Sequence, residues 1–194
     1  MPLLSKMAKC NTISSKSITI GVVCTLLSLV LVPGKIVWAA TIFCLASTPC
    51  IGTSDRDTIY GTSGFDSIMG EEGDDQIYGF QDLDFIDGGE GDDAISGGAG
   101  DDFIIGGPGN DGIAGGEGSD RIYGELGFDL IYGGEGGDFL RGGDGNDIVI
   151  GGNGNDEFVG GPGADTFNCG EGTDTITDFN DIVDRKTVDC ENPS

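Results

Sequence analysis

The chain has 194 residues, among them 38 glycines, no histidine, and 34 acidic residues against 9 basic ones, for a formal net charge of -25. This length holds one domain plus a leader. A polyanion of this density excludes nucleic acid and anionic lipid as partners and selects cations. On composition alone it describes an acidic tail, because self-repulsion and glycine entropy both oppose compaction; order therefore has to come from a pattern.

The first segment, residues 1–39, contains four of the nine basic residues (Lys6, Lys9, Lys16, Lys35) and no acid. A basic, Ser/Thr-containing start leads into the apolar run from Ile18 to Val32, then Pro33-Gly34, then "KIVWAA". Val37 and Ala39 stand three and one places before a cut between Ala39 and Ala40, so the segment reads as a cleaved signal peptide. A membrane span needs about 20 apolar residues. Contact with membrane is thus expected only if the leader stays uncut and serves as an anchor. Cys24 follows Val22-Val23 rather than a small residue, which argues against lipid modification.

Residues 40–51 read as an N-terminal cap containing Cys44 and Cys50, while Cys169 and Cys190 straddle the far end of a long glycine-rich array. Cys10 and Cys24 leave with the leader. Proximity in the chain favours the pairs Cys44/Cys50 and Cys169/Cys190, and an even count in an exported protein points to disulfides. The competing arrangement, one four-thiolate metal site, requires both ends of the array to meet.

From Gly52 to Thr177 the chain divides into fourteen nine-residue copies without insertion or deletion. Position six is Asp in all of them: Asp57, Asp66, Asp75, Asp84, Asp93, Asp102, Asp111, Asp120, Asp129, Asp138, Asp147, Asp156, Asp165 and Asp174. Position eight is always apolar, from Ile59 to Ile176; position one is Gly except at Cys169, and position four is Gly except at Asp55 and Asp82. A unit with one apolar side chain cannot fold alone, but it can as half a coil in a stack. Positions seven to nine are expected to be extended, with eight pointing inward. Positions one to six then turn the chain, and glycines at one, two and four supply backbone angles that a Cβ disfavours. The fold expected is all-β: two facing parallel sheets, with about seven coils of eighteen residues.

One apolar residue per strand makes too thin a core to offset the entropy of so many glycines, and aspartates stacked about 5 Å apart repel one another without a counterion. Carboxylate oxygens from two levels, together with unobstructed turn carbonyls, form a flexible all-oxygen cage that suits Ca²⁺. Mg²⁺ demands a tighter octahedron, and Zn²⁺ would want His or Cys. The nonapeptide "GGxGxDxUx" resembles that of the repeats-in-toxin (RTX, haemolysin-type) calcium-binding proteins over residues 52–177. The resemblance implies a parallel β-roll with several Ca²⁺ ions held between successive turns by the position-six aspartates and turn carbonyls.

Carried over by position, the fullest loops are Gly88, Gly89 and Gly91 with Asp93; Gly97, Gly98 and Gly100 with Asp102; Gly106, Gly107 and Gly109 with Asp111; and Gly115, Gly116 and Gly118 with Asp120. Equally complete are Gly133, Gly134 and Gly136 with Asp138; Gly142, Gly143 and Gly145 with Asp147; Gly151, Gly152 and Gly154 with Asp156; and Gly160, Gly161 and Gly163 with Asp165. Copies beginning at Gly52, Gly61, Gly70, Gly79 and Gly124 lack the second glycine, so their loops are expected to bind weakly or only to support structure. Residues 178–194 resemble the capping tails of such rolls, with Phe179 and Ile182 over the last coil and Cys169/Cys190 holding them down. Family members commonly carry the roll behind a catalytic or toxin domain, whereas this chain reads as a free-standing roll with its own leader.

Alternate copies share a face, so Phe85, Phe103, Ile105, Arg121, Tyr123, Phe139, Arg141 and Val159 point outward together from the even copies. Arg121 and Phe139, one coil apart, are expected to make a cation–π contact, and this face is a candidate surface for glycan, cell envelope or a partner protein. No nucleophile–base pair occurs, and carboxylate pairs such as Asp92-Asp93 recur along the array as ligands would, so no enzyme activity is expected. The reading is an extracellular calcium-binding protein that folds on export, with a structural, adhesive or interaction role. Its rival is a polyanion that sequesters calcium or nucleates a matrix.

Overall fold

The computed structural model describes residues 26–32, 35–45, 49–180, 183–187 and 190, with side chains from residue 40 onward. The start of the expected leader, the Pro33-Gly34 break and Ile182 lie outside the described residues. Among those described there is no helix, and so none long and apolar enough to cross a membrane. The strands form a ten-stranded and an eight-stranded sheet, and from Lys35–Phe43 onward successive strands alternate between the two. The result is a β-solenoid of about eight turns of roughly 18 residues.

Register follows the repeat. Ile95, Ile113 and Ile131 align across parallel neighbours in one sheet, and Ile104, Ile122 and Leu140 in the other. Each position-eight side chain from Ile59 to Ile176 is at most 3% exposed, so every coil adds two apolar rungs to a single-file core. The extra turn beyond the seven counted in the repeats comes from the segment before them. Ala40 to Phe43 pair in parallel with Asp57 to Tyr60, and Cys50-Ile51 pair with Ile68-Met69. Upstream, Leu26–Val32 pairs antiparallel with Lys35–Phe43, Leu29 opposite Trp38. The proposed cut after Ala39 falls inside the second of these strands.

Most strands are longer than three residues. Ala94–Ala99, Phe103–Pro108, Gly112–Glu117 and Arg121–Leu126 each run from position seven through position three of the next copy. The bend outside the strands is therefore at positions four to six, preceded by a left-handed residue at position two in most copies. Positions six, eight and one face inward together, as alternation along an extended chain requires, and from Gly70 onward position one is buried. The interior thus contains an aspartate and a glycine beside every apolar rung.

Both ends are closed. Cys44 is bonded to Cys50, and Cys169 to Cys190, so the two pairs sit at opposite ends of the stack and no four-thiolate site forms. Phe179 packs on the last coil, its ring 6.1 Å from that of Phe167 and under the Lys186 ammonium at 4.8 Å. Lys186 aligns with Phe167, so a charged residue stands where the next apolar rung would be and the core ends there.

Candidate metal centre

Asp enters a turn readily because its carboxylate can satisfy backbone N–H groups, and here it does so between coils. From Asp57 to Asp156, the N–H of each position-six aspartate donates to Oδ1 of the aspartate one coil further on. In one column this links Asp57 to Asp75 (2.7 Å), Asp75 to Asp93 (2.7 Å), Asp93 to Asp111 (2.8 Å), Asp111 to Asp129 (2.9 Å) and Asp129 to Asp147 (2.9 Å). The other column runs from Asp66 through Asp84, Asp102, Asp120, Asp138 and Asp156 to Asp174 in the same way. All fourteen aspartates are at most 3% exposed.

The second oxygen has no such partner. Oδ2 of Asp75, Asp84, Asp93, Asp102, Asp111, Asp120, Asp129, Asp138, Asp147, Asp156, Asp165 and Asp174 is buried and accepts no hydrogen bond. A buried carboxylate oxygen left this way is costly unless a cation meets it. Burial pushes the Asp75 and Asp111 carboxyls up to about 7 and those of Asp84, Asp93, Asp102, Asp120, Asp138, Asp147, Asp156 and Asp165 to about 6. The N–H donated from the preceding coil offsets part of that rise, and neighbouring aspartates add to it in most cases.

Glycine shapes the space around these oxygens, for two different reasons. Position-one glycines are outside the left-handed region, contrary to the expectation that they serve the turn. They are needed for room: a methyl group at Gly97 would overlap Asp102 Oδ2 and stand 2.8 Å from the Gly115 carbonyl oxygen. Position-two glycines such as Gly98 (φ 121°) require the left-handed backbone, and a side chain there would strike the carbonyl of the coil before. The ion-facing oxygen and the turn carbonyls therefore share a space that only glycine leaves open.

Among the described residues no three His, Cys, Asp or Glu side chains converge. Any cage here must be completed by backbone carbonyls, an arrangement that Ca²⁺ accepts and that thiophilic or imidazole-seeking metals do not. The donor set, orphaned hard oxygens beside unobstructed carbonyls, fits calcium. The model of the RTX calcium-binding nonapeptide repeat matches four times, over residues 51–86, 78–113, 114–149 and 141–176, well over half of the chain. The chain belongs to the RTX calcium-binding repeat family. No curated protein matches it. RTX nonapeptide repeats bind calcium ions, the β-roll is a structural calcium-binding fold, and such repeats are typical of exported proteins. The two disulfides agree with an oxidising compartment.

The loops without a second glycine divide into two kinds. Glu71, Phe80 and Glu125 adopt positive φ (81°, 87° and 82°) and so reproduce the glycine turn at a cost of about 1 to 2 kcal/mol each. Thr53 and Thr62 do not adopt it, and their N–H groups donate to Asp57 Oδ2 (2.6 Å) and Asp66 Oδ2 (2.5 Å).

Several contributing residues are not among those expected from the motif. Position-five side chains form an outer ladder: Asp92 Oδ1 accepts from the Asn110 N–H (2.8 Å), Asn110 Oδ1 from Phe128, Asp101 Oδ1 from Ser119, and Asn155 Oδ1 from Thr173. The signal was present in the frequency of Asp and Asn at that position. Asp184 accepts the Asp165 N–H at 3.1 Å and so extends the odd column into the tail, nineteen residues on rather than eighteen. Asp178 accepts the N–H groups of Gly160 and Gly161. On the outer face, Arg121 and Phe139 are in register, but the ring that Phe139 meets is that of Tyr123, at 5.7 Å. The expected Arg121–Phe139 cation–π contact is not among the contacts of the described residues; the neighbouring aromatic side chain fills the space over the ring instead.

Proposed function

We propose that this protein is exported, folds when it meets millimolar calcium outside the cell, and serves there as a structural or adhesive β-roll rather than as an enzyme. The observation that carries this reading is the row of buried, unpartnered Asp Oδ2 atoms on twelve of the copies. Without a cation each is a desolvated charge, and the single-file core is too thin to absorb that cost. Extracellular calcium modules bind at about 10⁻⁴ to 10⁻³ M, so folding would be coupled to arrival in a calcium-rich compartment. Residues 1–39 as a leader cut after Ala39, 40–51 and 178–194 as caps, and 52–177 as the calcium-binding roll complete the proposal. After such a cut, Ala40 to Phe43 would remain as the edge strand.

The outer face supports the interaction role. Phe85, Phe103, Tyr123 and Phe139 form a continuous row, with ring centroids 5.4, 5.4 and 5.7 Å apart. Such a row offers apolar area to a cell-envelope, glycan or protein surface.

The test is a calcium titration of the chain beginning at Ala40, followed by far-UV circular dichroism. A cooperative rise in β signal with Ca²⁺, absent with equal Mg²⁺, is expected. Gradual ion uptake with little structure would replace this reading with the calcium-sequestering polyanion.

A further inference from the structure

The fourteen aspartates look equivalent in sequence, but their second oxygens are not. From the third copy onward Oδ2 is without a partner. In the first two copies it is taken by the N–H of a threonine in the same turn, Thr53 for Asp57 and Thr62 for Asp66. Asp57 also accepts the Ala40 N–H on Oδ1 at 3.0 Å, so backbone donors satisfy both of its oxygens, whereas in Asp66 only Oδ2 is satisfied and Oδ1 is buried without a partner.

Residue type explains the difference. Position two needs a left-handed backbone for the open turn, and a β-branched side chain resists that region more strongly than an unbranched one. Glu71, Phe80 and Glu125 tolerate it, and Asp75, Asp84 and Asp129 keep their Oδ2 atoms unpartnered. Thr53 and Thr62 avoid it, which turns their N–H groups toward the carboxylate. Each threonine hydroxyl then accepts the N–H two residues on, from Asp55 and Gly64, both at 3.2 Å. An N–H dipole aimed at a carboxylate oxygen supplies the positive end that an ion would otherwise supply, and it opposes a cation at the same point.

We infer that Thr53 and Thr62 fill the Oδ2 position of the first two turns with their own amides in place of calcium. At the Oδ2 position these turns need no metal, and the ladder of calcium on Oδ2 begins at the third copy. The loops of Glu71, Phe80 and Glu125 belong to the calcium-holding set although they lack the second glycine. The inference rests on the calcium-binding reading of the other loops, but not on whether the chain unfolds without calcium.

The experiment counts ions. The full chain is dialysed to equilibrium against saturating Ca²⁺, and bound calcium per chain is measured by elemental analysis. The Thr53→Gly/Thr62→Gly variant is expected to bind more calcium than the wild type, by about one ion in each turn column. Thr53→Val, which keeps the branched Cβ and the amide, is expected to leave the count unchanged. If the double glycine variant does not fold, Glu125→Thr supplies the converse: it is expected to lower the count by about one ion. An unchanged count in a folded double variant, or in Glu125→Thr, overturns the inference. A chain that stays ordered in chelator would refute calcium-coupled folding and leave this count standing.

Discussion

Replacing Gly115 by alanine isolates what the first glycine of each copy contributes. Gly115 is buried and outside the left-handed region, so its backbone accepts alanine, and the whole cost is one of space. The new methyl would overlap Asp120 Oδ2 and lie 2.7 Å from the Gly133 carbonyl oxygen. The carbonyl belongs to the next coil's backbone and cannot move alone, so the carboxylate must yield. It is held by the Asp102 N–H at 2.8 Å. Giving up that charge-assisted bond costs about 1.5 to 3 kcal/mol, and residual overpacking about 1 to 3 kcal/mol. Alanine returns about 0.4 to 1 kcal/mol by stiffening the unfolded chain. The net loss is about 2 to 5 kcal/mol. Gly112, three residues earlier, is the control: it is exposed, its φ is ordinary, and the nearest atom to an added methyl is 3.9 Å away. Gly112→Ala should be neutral or slightly stabilising. Urea denaturation of both variants in saturating calcium, with calcium midpoints measured alongside, makes the comparison. If Gly115→Ala proved as stable as Gly112→Ala, the assignment of position one to ion-site space would be wrong.

Ile104→Ala removes a fully buried rung and should cost about 2 to 5 kcal/mol, read as a lower urea midpoint in saturating calcium. Breaking the Cys169–Cys190 bridge, which closes a 21-residue separation, should cost about 3 kcal/mol, against about 2 for the six-residue Cys44–Cys50 separation; thermal melts of the paired Cys→Ser variants check the order. Because burial raises ten of the position-six carboxyls to about 6 or 7, protons bind the calcium-free folded roll more tightly than the unfolded chain. That contribution to stability is full below the unfolded value of 3.8 and is lost as pH rises through 6 to 7. In chelator, β signal should therefore be greater at about pH 4.5 than at about pH 8, and with calcium present acid should raise the calcium midpoint as protons compete for the same carboxylates. Circular dichroism across that range tests both signs.

The nine-residue period alone determined the stack, the inward line from Ile59 to Ile176, the aspartate column and the two facing sheets, because each is a consequence of phase along one chain. It also made Cys44/Cys50 and Cys169/Cys190 the natural pairs, since their partners lie close in sequence. What it could not contain was any relation between atoms one coil apart. Which carboxylate oxygen binds an amide and which is left open, why Gly97 must be glycine although its backbone angle is ordinary, and how Asp184 joins a column nineteen residues on are facts of contact across coils. The same holds for Thr53 and Glu125, both merely non-glycine in the motif: only the folded turn shows one N–H turned into the carboxylate and the other turned away. Periodicity is written in covalent order, but an ion site is made of oxygens that meet only when the coils are stacked.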